Sequence, residues 1–407
     1  LRAAARAAWQ AHAALTAGSE KGESLRLAGE EAAARGQFGD AEGLFAESLA
    51  VFRAERDRKG EGIALAARAV AFRELGRTEE AEQANRAALA IHVALGDRRQ
   101  EGLVLGNLAI DFHETGRIDD AIRAYLEALA IRRETGDRRL EGTLLGNLAN
   151  LYTQIGRVRE GEELYLQALA LHRSLGNRKS EGNALGNLAI SQAQRGEVER
   201  AERSYREALA VHRDVGNRRF EGIVLANLAN LHRDAGRMTE AEREYREALA
   251  IHRETGAGGP AAAVLVNLAG LFRIGGDLPA AVRSCEESLA AFRTVRDRRG
   301  EGVALGTLGV LRAEGGLLDD AVRLLGEALE IHGEVRHLRY EGCHRCDLAL
   351  VLLRRGETVE AGRMWRNGAE LLRGLGDTAE AGRKLVEMRA ACSRAGVVSL
   401  DVPESAP

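Results

Sequence analysis

Glycine recurs at Gly36, Gly76, Gly116, Gly156, Gly196, Gly236, Gly276, Gly316, Gly356 and Gly396, each forty residues after the last. A small residue follows five positions after most of them, as at Ala41, Ala81, Ala121, Gly161, Ala201 and Ala241. Self-similarity at this period specifies a solenoid, in which each unit buries its apolar face only by stacking on its neighbours. A stack of that kind grows without enlarging any single core. It offers an extended binding surface rather than an enclosed reaction vessel.

Composition agrees. Aromatic residues make up 4% of the 407 residues and prolines number four, so the chain has helix-forming composition and little material for a sheet. A net charge of −3 gives no global pull toward nucleic acid or anionic membrane. Four dispersed cysteines make no disulfide framework, which points to a reducing, cytoplasmic setting. No apolar run is long enough to span a bilayer. Only four of the 58 basic residues are lysine, a bias associated with GC-rich bacterial genomes.

The interior of one repeat is legible in residues 97–136. Asp97 is a good N-cap after Gly96, and apolar residues at Leu103, Leu105, Leu108, Ala109 and Phe112 follow a helical spacing. Gly116 ends this helix. A second begins near Asp119, shows Ala121, Ile122, Tyr125, Ala128, Leu129 and Ile131, and closes at Gly136. Each unit is therefore expected to be two antiparallel helices of about seventeen residues, roughly 25 Å long. Nine such units cover 21–380. A second helix of a truncated unit is expected at 1–15, where Trp9 and His12 fall in the columns of Leu49 and His92. A capping helix with a polar outer face (Arg383, Lys384, Arg389, Arg394) is expected at 381–396, and a disordered tail at 397–407. Because the chain starts inside a unit, it is expected to be a piece of something longer.

The spacing Leu105-x-x-Leu108-Ala109-x-x-Phe112-x-x-x-Gly116, followed by Ala121-x-x-x-Tyr125-x-x-Ala128, resembles the tetratricopeptide repeat pattern. Leucine stands where that family often has tryptophan. The forty-residue period is similar to the longer subclass found in kinesin light chains, Pins-type adaptors and Rap-type bacterial receptors. The resemblance covers more than nine tenths of the chain. It implies an all-α fold, an α-solenoid whose stacked antiparallel helix pairs wind into a right-handed superhelix.

Some units depart from the pattern. Arg68 occupies the Leu108 column, Gln192 and Arg312 the Phe112 column, and Cys285 the Tyr125 column. Ala257-Gly258-Gly259-Pro260-Ala261 replaces the cap, basic pair and glutamate of its neighbours, which predicts loosened helix ends, a locally altered superhelix and a hinge there.

One polar column invites a functional reading. Asn107, Asn147, Asn187, Asn227 and Asn267 recur in the middle of the first helices, with Thr307 and Asp347 continuing the column. Asparagine is a poor helix former, so five of them cost a few kcal/mol in total against alanine, and something must offset that. The resemblance implies that first helices line a concave groove and that this position touches ligand. An amide offers both donor and acceptor, so such a ladder can hold the backbone of an extended peptide whatever its side chains. The alternative is that each asparagine bonds to a neighbouring helix and fixes the stacking. Asn150 and Asn230 are expected to face the same groove. Arg233 and Arg273 on one side, with His113, Glu114 and Asp234 on the other, would supply side-chain selectivity.

Beside the ladder runs a stripe of small residues, Gly102, Gly106 and Ala109 with their equivalents Gly142, Gly146 and Ala149 and Gly182, Gly186 and Ala189. It implies either close helix packing or room for a ligand backbone. Basic pairs such as Arg98-Arg99 and Arg138-Arg139 are followed within a turn by Glu101 and Glu141, so they read as a solvated, locally neutralised edge rather than a nucleic-acid surface. Histidines at His12, His92, His172, His212, His252 and His332 are about one helix spacing apart along the stack, too far to share a metal ion, and read as surface or inter-helix residues. Cys343-x-x-Cys346, with His344 between, has no second pair at a metal-binding spacing. No phosphate loop, nucleophile elbow or triad has a supporting context.

The chain is thus read as a non-catalytic interaction scaffold without cofactor or metal, whose partner is a protein or peptide segment rather than nucleic acid or membrane. Two alternatives remain: a sensory or scaffolding arm of a larger bacterial signalling ATPase, kinase, cyclase or caspase-like peptidase, and a small-peptide receptor of Rap-like type.

Overall fold

A computed structural model of the chain describes residues 18–401 and divides into two compact units, one ending at Glu197 and the other beginning at Val198. Among the described residues there are nineteen helices and no strand. The helix expected at 1–15 lies outside the described residues.

The first unit holds α1 (Gly18–Ala33), α2 (Phe38–Ala54), α3 (Arg58–Glu74), α4 (Thr78–Leu95), α5 (Arg98–Glu114), α6 (Ile118–Glu134), α7 (Arg138–Gln154), α8 (Val158–Ser174) and α9 (Arg178–Gln194). The second holds α10 (Val198–Asp214), α11 (Arg218–Asp234), α12 (Met238–Glu254), α13 (Gly258–Ile274), α14 (Leu278–Val295), α15 (Arg298–Glu314), α16 (Leu318–Glu334), α17 (Leu338–Arg354), α18 (Thr358–Gly374) and α19 (Thr378–Ala395). Most run seventeen residues, the length that the repeat predicts.

Capping sets the starts. The Asp97 carboxylate accepts from the Gln100 backbone N–H at 3.2 Å, and Asp57, Asp137, Asp297 and Asp377 cap α3, α7, α15 and α19 in the same way. The ends are set by left-handed residues: Gly116 has φ +76°, and every glycine of its forty-residue series has φ between +68° and +83°. Second helices end the same way at glycines such as Gly96 and Gly136, but after α2, α14 and α16 an arginine takes this conformation, Arg56 and Arg296 at φ +57° and Arg336 at +51°. The stretch at 257–261 does not loosen the helix: α13 keeps its full seventeen residues although Ala257 provides no side-chain cap. Pro260 falls in the first turn, where N–H groups have no intrahelical partner to lose. Gly258 leaves room for Val295, whose Cγ1 would be 2.7 Å from an added Cβ.

Within each unit every helix packs on the next, as the apolar spacing requires. The inner residues Ala109, Ala121 and Ala128 are fully buried, with Leu105, Leu108, Tyr125 and Ile131 around them. First helices also touch the next first helix: α1 meets α3, α3 meets α5 and α7 meets α9, and in the second unit α11 meets α13, α13 meets α15, α15 meets α17 and α17 meets α19. Second helices make no comparable contacts with one another. Layers that are closer on one side curve toward that side, so within each unit the first-helix face is the concave one.

Off-pattern residues are accommodated individually. Arg68 pairs with Glu42 and stacks over Phe72, Arg312 pairs with Glu286, and the Cys285 thiol donates to the Ala304 carbonyl. The outer edge is neutralised locally, with Glu221 held by Arg213 at 2.8 Å and by Arg218 at 2.6 Å, and Glu301 likewise by Arg293 and Arg298.

The end of the chain differs from the sequence reading. Lys384 is not on an outer polar face; it is buried and paired with Asp347 of α17. Residues 397–401 pack back on α19, with Leu400 buried and Arg389 bonded to Asp401 at 2.7 Å. Residues 402–407 lie outside the described residues.

Candidate functional site

The asparagine column lies on the first-helix face. Asn107, Asn147 and Asn187 sit mid-helix on α5, α7 and α9, and Asn227 and Asn267 on α11 and α13. All five are half-buried. Stacking locks would show as hydrogen bonds to a neighbouring helix, yet among the described residues none of the five amides has a side-chain partner. None of these amides is among the buried polar atoms left without a partner, so each keeps its donor and acceptor open to solvent, where an incoming backbone can replace water.

In the first unit, Asn107 and Asn147 line a concave cavity of about 580 Å³, walled by Ile63, Val70, Leu103 and Leu144. In the second unit, Asn267, Arg233 and Arg273 line one of about 1090 Å³, together with Thr307 and Asp347 from the same column.

The remaining residues of the reading are used within the chain. The amide oxygens of Asn150 and Asn230 are engaged within the chain: each accepts a hydrogen bond from a tyrosine of the following helix, Tyr165 and Tyr245. Burial pushes both phenols up to about 12, so they stay neutral donors. His113 bonds to Gln154 at 2.7 Å and Arg273 to Glu314 at 2.8 Å, each linking the last turns of adjacent first helices. Glu114 lies 4.0 Å from Arg73, and Arg233 binds Asp234 at 2.9 Å. These groups are partly exposed ion pairs and hydrogen bonds that an incoming segment can exchange at small cost.

The small-residue stripe divides in two. An added Cβ at Gly142 would lie 2.6 Å from the His172 ring, and at Gly62, Gly222 and Gly302 the clashing group is the equivalent His92, His252 or His332. The histidines are therefore buried beneath glycines of the paired first helix rather than placed on the surface. Arg132 replaces histidine in this column and donates to the Arg99 carbonyl at 3.0 Å. By contrast, Gly146 has nothing within 4 Å and opens toward the groove. His12 lies outside the described residues. Among the described residues no group of three or more His, Cys, Asp or Glu could hold a metal ion. Cys343 and Cys346 are buried thiols pushed up to about 12.

Sequence reading missed one polar lock. Asp111 is buried on α5, accepting from Asn85 at 2.6 Å and from Arg73 at 3.1 Å. A buried carboxylate in the middle of a helix that repeats as apolar or small was the available signal.

Models of the tetratricopeptide repeat match residues 63–134, 140–214, 224–255 and 260–334. No curated protein sequence matches the chain. Among solved structures, a signal transduction ATPase with a tetratricopeptide repeat sensor from Pyrococcus horikoshii aligns at a TM-score of 0.61 and 15% identity, over 90% of this chain and 55% of that one. A Rap protein complexed with competence and sporulation factor aligns at 0.60 and 14%, over 88% and 99% of the two chains. The apo quorum sensor NprR from B. thuringiensis aligns at 0.58 and 15%, over 87% and 99%. At these identities the likeness is one of fold.

Proposed function

Since the chain belongs to the tetratricopeptide repeat family, and so is a protein-interaction scaffold, we propose that it binds an extended peptide or protein segment along its first-helix faces without catalysing a reaction. Asn107, Asn147 and Asn187 in the first unit, and Asn227 and Asn267 in the second, hold the backbone of that segment. The observation that carries this reading is that five half-buried amides recur at one register and none has a partner among the described residues. Paired donors and acceptors at a first-helix spacing of about 10 Å match an extended backbone of polyproline-II type, which advances about 3.1 Å per residue and presents the same edge every three residues. Arg233, Arg273, His113, Glu114 and Asp234 border the segment and select among its side chains.

The reading is tested by selecting binders from a random peptide library on the purified chain, then measuring them by calorimetry. Peptides that bind the chain and lose affinity when Asn147, Asn187 and Asn227 become alanine are expected. Failure to select any peptide, or affinity unchanged in that variant, overturns the reading.

Two narrower readings are favoured by specific neighbours. The signal transduction ATPase with its repeat sensor supports a role as the sensory arm of a larger protein. The Rap protein complexed with competence and sporulation factor supports a small-peptide receptor. The length of the selected peptides separates them, because a receptor saturates with a short peptide and an adaptor gains affinity as the segment lengthens across more helices.

A further inference from the structure

One position at the end of the first helices from α3 onward reverses its charge along the sequence. The series runs Glu74, Glu114, Gln154, Gln194, Asp234, Ile274 and Glu314, and then Arg354 and Arg394. The reversal falls in the second unit's cavity, which is lined by Arg233, Arg273, Arg354, Arg383, Lys384 and Arg394 against only Glu314, Asp347 and Glu387. Each of those three carboxylates is already engaged: Glu314 by Arg273 at 2.8 Å, Asp347 by Lys384, and Glu387 by Arg383 at 3.5 Å. Arg354 and Arg394 have no carboxylate partner among the described residues. Arg354 is nonetheless held in place, since one Nη donates to the Ala313 carbonyl at 2.6 Å and leaves the rest of its planar fork facing outward. A basic groove in a chain whose net charge is −3 is a local feature and not a reflection of composition.

Resting on the reading of the first-helix face as the peptide-binding face, we propose that this end of the groove takes an acidic peptide segment, with Arg354 and Arg394 each receiving a glutamate or aspartate side chain. Arginine pairs bidentately with carboxylate, which gives direction as well as charge. The two arginines stand at equivalent positions on α17 and α19, helices in direct contact, so their Cα atoms are about 10 Å apart. An extended segment with acidic residues two or three positions apart spans roughly 7–10 Å, within reach of the long side chains. Nucleic acid fits less well, because no aromatic residue lines the cavity to stack a base.

The test is fluorescence anisotropy of labelled peptides of about twelve residues that alternate alanine with glutamate, glutamine or phosphoserine, each titrated with the full chain. The glutamate peptide is expected to bind at least tenfold more tightly than the glutamine peptide and to weaken as salt rises. Arg354→Glu with Arg394→Glu is expected to abolish that preference. The milder Arg394→Gln, at an exposed last turn, is expected to reduce it with an unchanged melting curve. Equal binding of glutamate and glutamine peptides, binding of the phosphoserine peptide alone, or a preference that survives the charge reversal overturns the proposal. Asn267→Ala separates the two claims. A glutamine peptide that binds and depends on Asn267 leaves the groove reading standing and removes the acidic preference. A glutamate peptide that ignores Asn267 but needs Arg354 does the reverse.

Discussion

The Tyr165 hydroxyl donates to the amide oxygen of Asn150, while Asn147, one turn earlier on the same helix, has no side-chain partner among the described residues. Two asparagines of one first helix therefore stand in opposite energetic positions. Replacing Asn150 by alanine removes one of the two partners of a buried hydroxyl, the other being Thr153, and should destabilise the fold by about 0.5–1 kcal/mol, even after the gain in helix propensity. Replacing Asn147 by alanine removes a poor helix former that bonds to nothing, and should stabilise by about 0.5 kcal/mol. Urea unfolding of the two single variants gives the signs. Destabilisation of equal size by both would place Asn147 among the packing residues.

A parallel contrast exists between glycines. An added methyl at Gly142 meets the His172 ring at 2.6 Å, whereas one at Gly146 meets nothing within 4 Å. Gly142→Ala should cost about 1–2 kcal/mol, overpacking outweighing propensity. Gly146→Ala should stabilise by up to about 1 kcal/mol and, if a ligand backbone lies against it, weaken peptide binding. Thermal melts with peptide titration distinguish these outcomes.

Arg56 and Arg296 occupy left-handed backbone at φ +57°, as Arg336 does at +51°, where most equivalent turns use glycine. Relieving that conformation should outweigh the added chain entropy, so Arg56→Gly and Arg296→Gly should each stabilise by about 0.5–1 kcal/mol. A fall in melting temperature in both variants would show that the arginine side chains contribute more than their backbones cost.

Acid should weaken the fold before carboxylates titrate. Burial lowers His92, His172 and His252 below 6.5, and His332 to about 4, where His337 adds repulsion. His332 also bonds to the buried His344 at 3.0 Å, an arrangement that cannot survive protonation of both rings. The unfolded chain binds more protons than the folded one once the pH drops below 6.5, so this stability is fully present above 6.5 and is lost as pH falls toward 4. His332 contributes a slope of up to about 1.4 kcal/mol per pH unit in that window, and His92, His172 and His252 add to it in the same direction. Urea midpoints at pH 7.5 and 5 should therefore differ clearly, and His332→Leu should flatten the dependence. A stability independent of pH down to about 4.5 would contradict the burial of these rings as neutral groups.

The helices were legible because their signals are local. Gly116 and Asp97 punctuate the chain, and the spacing Leu105, Leu108, Phe112 has only one periodic reading. What was not legible depends on side chains meeting across a helix pair. Asn150 and Asn230 share the face of the ladder, but their partners lie fifteen residues away on the next helix, and only the crossing geometry shows that the tyrosines reach them. The histidine column likewise reads as surface or inter-helix, and only the facing glycines Gly62, Gly142, Gly222 and Gly302 show the second to hold for His92, His172, His252 and His332. Lys384 looked like surface charge on a terminal helix, whereas the carboxylate that buries it lies 37 residues earlier at Asp347. The charge reversal at Arg354 and Arg394 was present in the columns, and its meaning came only with the cavity they line.

The central claim is that the unpartnered asparagines serve a partner rather than the fold, and it is tested most directly by one variant measured two ways. For Asn147→Ala/Asn187→Ala/Asn227→Ala, calorimetry with a library-selected peptide should show affinity reduced about 100-fold, as the loss of three hydrogen bonds near 1 kcal/mol each implies. Far-UV circular dichroism and melting should show helix content kept and stability raised. Unchanged affinity, or a stack that loses its helices, would contradict the account.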